Sequence, residues 1–94
     1  MSTVHAPLAY SVDYAGCTFA TYHADKGQGI PRHEHWYPHL TMCHAGSCVL
    51  RKEGIELVIT KSSQPVNLIQ NEWHEIEALE DGTVFVNVFM QGRR

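Results

Sequence analysis

At 94 residues, 44% hydrophobic and 18% charged, the chain has the composition of one globular domain, not of a disordered segment. A net charge of −3 leaves no electrostatic footprint for nucleic acid or an anionic membrane. No apolar run approaches the ~18 residues of a membrane span, residues 1–9 lack the regions of a secretion signal, and three cysteines without CxxC spacing argue against a disulfide framework, so a cytoplasmic protein is expected.

Residues 1–7 are expected to form a loose arm ending at Pro7. Leu8–Tyr14 and 17–23 alternate and carry β-branched and aromatic residues, so they read as strands joined at Ala15-Gly16. Turn formers across 23–29 predict a loop that delivers the chain to a strand at 30–35. Pro38 fixes its own φ and pushes Tyr37 out of the α region, which predicts a bend over 36–38 before a strand at His39–Ala45. Gly46-Ser47 reads as a turn, 48–52 as a strand, Glu53-Gly54 as a hairpin turn, and Ile55–Thr60 as its second arm. A polar loop at 61–65 leads to strands at 66–70 and 73–78, separated by a turn at Asn71-Glu72. After a turn at 80–82, Thr83–Met90 (TVFVNVFM) is the strongest β signal. Apolar on both faces except at Asn87, it predicts a strand covered on both sides, by the core on one and by a cover left open, a partner subunit among the options, on the other. Residues 91–94 form a polar tail. No stretch holds a helical period, so the chain reads as one all-β domain over 1–94, with about nine short strands. Composition alone leaves a jelly roll and an immunoglobulin-like sandwich both open.

His33, His35 and His39 lie within seven residues, and His74 stands in a second segment. On a strand His33 and His35 leave the same face, roughly 7 Å apart, close enough to converge on one metal. Extended chain would carry His39 about 13 Å further, so only the bend at Pro38 lets it join them. Thr41 and Cys43 share the parity of His39, whereas Leu40, Met42 and His44 face the other way, which excludes His44 as a ligand. Tyr37, Thr41 and Cys43 are the candidate pocket residues. Trp36 and Trp73, beside ligands in sequence, are expected to wall the site off from water, and Glu34 and Glu72 to be solvated. His5 and His23 have no ligand-like partner spacing.

The pattern Gly27-x5-His33-x-His35-x3-His39-x6-Gly46 resembles the first cupin motif, with His39 where that motif has glutamate. Residues 69–74 resemble the second motif, P-x-G-x-x-H, with Ile69 in place of proline, Asn71 in place of glycine, and Ala78 where a later asparagine stands. Asn71 is a mild exchange, because asparagine tolerates the left-handed conformation. The resemblance implies a small jelly-roll β-sandwich, a divalent metal on His33, His35, His39 and His74, and a homodimer. Imidazole suits iron, manganese, nickel, copper or zinc, one ion per chain. Four neutral ligands leave the charge of such an ion uncompensated, which favours anionic oxygen donors. A metal-dependent dioxygenase-like enzyme acting on a small organic substrate is the expectation. A small-ligand-binding or sensing module, a structural metal site, and a lyase or isomerase are the alternatives.

Overall fold

Turn chemistry and alternation organise the ten strands of the computed structural model, which describes residues 3–91. In chain order they are β1 (Val4–His5), β2 (Leu8–Tyr14), β3 (Cys17–Ala24), β4 (Gln28–His33), β5 (His39–Ala45), β6 (Ser47–Lys52), β7 (Ile55–Thr60), β8 (Val66–Leu68), β9 (His74–Ala78) and β10 (Thr83–Met90). No helix occurs among the described residues. Ala15 and Gly16 both take positive φ, 53° and 80°, and fold β2 back onto β3 as a two-residue hairpin.

Two five-stranded sheets result, ordered β1-β4-β9-β6-β7 and β2-β3-β10-β5-β8. Their inner faces meet in a core that includes Cys48, Leu50, Ile59, Leu68, Ile76 and Phe85, each at most 4% exposed. Seven connections carry the chain between the sheets around this core, among them 34–38 and Gly46. Gly46 has a φ of 73° and backs onto β10, where a Cβ would lie 2.5 Å from Thr83 Oγ1. Only glycine satisfies both demands.

Several expectations change. Of the supposed arm, 1–2 lie outside the described residues and the rest is anchored: β1 pairs in parallel with β4, Ala6 donates its N–H to the Gly29 carbonyl, and Ala6 is fully buried. Two backbone bonds and one small buried side chain hold a segment whose composition carries no strand signal. Of the polar tail, 92–94 lie outside the described residues. The strand expected at 30–35 runs instead over Gln28–His33. Opposite β9 it contains a bulge, with Ile30 facing Ile76 and His33 facing His74, so β4 spends one more residue than its partner. Pro31, which has no N–H to offer a ladder, falls in that gap. The bulge puts Ile30 and His33 on the same inner face, although simple alternation would separate them.

β10 is the central strand of its sheet, between β3 and β5. It is covered fully on one side only. Thr83, Phe85 and Asn87 are buried, whereas Val84, Val86 and Val88 on the outer face are half-buried.

Candidate metal centre

His33 and His74 are cross-strand partners in β4 and β9, which places their imidazoles side by side. Their ring centroids are 4.4 Å apart. His35 lies just past the end of β4, in the connection to the other sheet, with centroids 4.9 Å from both His74 and His39. His39 opens β5 in the second sheet, where Leu68 of β8 is its partner. The ligand atoms of His33, His35 and His74 all lie within 4.8 Å of one another. His39 reaches this trio through His74, Nε2 to Nε2, at 3.3 Å.

The proton positions follow from the partners. Nδ1 of His33 faces the Pro31 carbonyl at 2.7 Å, that of His35 the Tyr37 carbonyl at 2.6 Å, and that of His74 the Glu72 carbonyl at 3.0 Å. Nδ1 of His39 faces the Leu40 carbonyl at 3.3 Å. A carbonyl only accepts, so in each ring Nδ1 carries the proton and Nε2 is a bare lone pair. In that tautomer the contact between His39 and His74 sets two lone pairs face to face. Two nitrogens bound to one ion at about 2.0–2.1 Å lie roughly 3.0–3.4 Å apart. The observed 3.3 Å fits a shared cation, and the donor set fits a divalent transition metal.

Burial pushes His39 and His74 down to about 4, and the neighbouring imidazoles add to the shift. Burial also lowers His35, with a smaller contribution from His33. Neutral rings are the form that coordinates, so the fold holds these groups ready as ligands at neutral pH.

The cluster opens on a cavity of about 440 Å³ between the sheets. His33, His35, His39, Tyr37 and Asn87 line it, and Tyr22, Ile30 and Phe89 provide apolar wall. No aspartate or glutamate lines it. Tyr37 stacks on His35 with centroids 4.3 Å apart. Thr41 is no cavity wall; 1% exposed, it contacts His39 Nδ1 at 3.1 Å and Asn87 Oδ1 at 2.7 Å. Cys43 lies away from the cavity, in the core, with its sulfur 3.9 Å from that of Cys48 and its thiol pushed up by burial. As alternation requires, His44 is exposed on the opposite face of β5.

The tryptophans do not wall the site. Trp36 is 57% exposed, and Trp73 lies under the Arg32 guanidinium at 4.2 Å, outside the cavity lining. Glu34 is exposed as expected, but Glu72 is half-buried. Its Oε1 makes an ionic contact of 3.4 Å with Lys52 Nζ without an aligned hydrogen bond. Much of the cavity lining had no assigned role in the sequence, His5 and Asn87 among it. His5 lines the cavity from β1, which composition does not reveal as a strand. Asn87 was visible as a polar interruption of an apolar run, and a buried amide there needs a partner.

No family model matches the sequence, and no curated protein is similar enough to count as a relative. Solved structures match at the level of fold. KdgF from Halomonas sp. superposes with a TM-score of 0.79 at 16% identity, over 89% of this chain and 77% of that one. A protein with a double-stranded β-helix domain from Klebsiella pneumoniae gives 0.74 at 14% identity, over 96% and 76%. A cupin-2 domain protein from Shewanella frigidimarina gives 0.71 at 8% identity, over 90% and 83%.

The fold is that of a cupin. Within this sandwich the histidine cluster draws its side chains from both sheets. Asn71, in the motif's glycine position, has a φ of 61°, the left-handed conformation expected of it.

Proposed function

We propose that this protein is a metal-dependent, dioxygenase-like enzyme that acts on a small organic substrate. One divalent ion is held by His33, His35, His39 and His74. The observation that carries the reading is the approach of Nε2 of His39 to Nε2 of His74, 3.3 Å apart in a buried site beside His33 and His35. When bound, such an ion supplies Lewis acidity, and a redox-active one (iron, manganese, nickel or copper, in preference to zinc) supplies electron transfer to dioxygen.

The chain's own residues do the rest. Nδ1–H bonds to backbone carbonyls hold His33, His35 and His74 in the coordinating tautomer, and Nδ1 of His39 faces both the Leu40 carbonyl and Thr41 Oγ1. Tyr37 stacks on His35 and holds its ring plane. Tyr22, Ile30 and Phe89 give the substrate an apolar surface and displace water. With no carboxylate in the cavity lining, no ligand offsets the charge of the ion from within the cavity, so enolates and carboxylates are the favoured ligands.

Metal analysis of protein prepared without added metal, followed by O2 uptake with small diketones and phenols, tests the reading. A redox-active ion near one per chain together with O2 consumption supports it. Tight zinc with no exchangeable water favours a structural site. Bound metal with ligand-dependent melting shifts but no turnover favours a binding module.

The outer face of the β2-β3-β10-β5-β8 sheet supports a homodimer. By alternation it presents Tyr10, Val12, Tyr14, Phe19, Val86 and Leu40, and none of its positions carries a charged side chain. Tyr10, Val12 and Tyr14 are each more than half exposed. A second copy is the fitting occupant, because this face turned on itself brings no like charges together. The three free thiols fit a reducing, cytoplasmic setting.

A further inference from the structure

We propose that Thr41 and Asn87 are positioning residues that fix which nitrogen of His39 carries its proton. The inference rests on the metal reading above for its purpose, but not for its test. An imidazole can ligate through Nε2 only when the proton sits on Nδ1. In His33, His35 and His74 a backbone carbonyl within 3.0 Å of Nδ1 ensures this. His39 is different. Its carbonyl partner, on Leu40, is 3.3 Å away, at the weak end of the range for such a bond.

Thr41 Oγ1 is the nearer acceptor, at 3.1 Å. A hydroxyl can accept or donate, so its direction must be set from elsewhere. Asn87 sets it. Asn87 and Thr41 are register partners across β10 and β5, and Thr41 gives its proton to Asn87 Oδ1 at 2.7 Å. That leaves the lone pairs of Oγ1 for the Nδ1–H of His39. Thr41 is 1% exposed and Asn87 8%, so water has little access to compete for either group. With the hydroxyl freed from Asn87, it can donate to Nδ1 instead. The imidazole proton then moves to Nε2, where it faces His74 and blocks coordination.

The test is the tautomer of His39 in metal-free protein, read from imidazole ¹⁵N shifts and couplings, with Co2+ affinity and visible absorption as a second readout. Wild type is expected in the Nδ1–H form. Asn87→Leu and Thr41→Val are expected to populate the Nε2–H form at His39 alone and to bind Co2+ about 10–100-fold more weakly. Thr41→Ser and Asn87→Asp keep the acceptor chain and are expected to retain the wild-type tautomer. An Nε2–H form in wild type overturns the proposal, as does an unchanged tautomer in both disrupting variants. A Thr41→Ser protein as impaired as Thr41→Val also overturns it, by assigning the effect to packing of the methyl. If Thr41→Val or Asn87→Leu fails to fold, Thr41→Ala and Asn87→Ala are read by the same criteria. Wild-type protein with the expected tautomer but no Co2+ uptake refutes the metal reading and leaves the relay intact.

Discussion

At the scale of single residues, burial favours the neutral form of three imidazoles in the cluster, His35, His39 and His74. His39 and His74 are 7% and 2% exposed, and both are pushed down to about 4. Between about pH 4 and the ordinary histidine value near 6.5 the unfolded chain binds more protons than the folded one. Metal-free protein should therefore lose stability as pH falls from about 6.5 to 4 and level off below; urea midpoints across that range check it. Metal loading should likewise persist below pH 6.5 and fail toward 4, read as ion content after equilibration at each pH. His35→Ala should lose most of its metal, because it removes a ligand at the connection between the sheets. His44→Ala should keep it all, since its side chain leaves the opposite face of β5. Metal analysis of the two variants side by side decides. The inward set on β5, His39, Thr41 and Cys43, was legible from period two alone. What Thr41 and Cys43 do was not, because one meets Asn87 and the other Cys48, on different strands.

At the scale of elements, β4 shows where periodicity stops being sufficient. A bulge is defined by two strands, and the residues of one strand carry no record of how many its partner spends. The extra residue in β4 seats Ile30 in the wall and His33 in the cluster at once. Gly29 just before it belongs to the same arrangement, since a Cβ there would run into the Ile76 carbonyl of β9. Gly29→Ala should cost about 1–3 kcal/mol of stability, measured by urea denaturation, and should loosen the His33–His74 pair. β1 makes a related point. Its two residues become a strand only because β4 offers a free edge, and so His5 reaches the cavity although nothing in its neighbourhood marks it.

At the scale of the whole molecule, two sheets must stay in register across one thin core for the ligands they contribute to meet. Leu50 lies in that core at 1% exposure, and Leu50→Ala should cost about 2–5 kcal/mol, read from chemical denaturation. On the outer surface the proposed dimer would cover the uncharged face across β10. Val86→Arg should leave a folded chain that sediments as a monomer, whereas wild type should sediment as a dimer.

The sequence by itself determined the all-β class, most strand positions, the inward parity of β5, and the spacing of His33, His35, His39 and His74. These are local properties, set by steric period, turn chemistry and the rigidity of proline. Tertiary structure alone decided that His74 lies beside His33, that His39 touches the cluster through His74, and that Thr41 bridges Asn87 and His39. Each of those contacts joins strands far apart in the chain. Their geometry is set by sheet order and register, which depend on the packing of all ten strands together and are written in no single stretch.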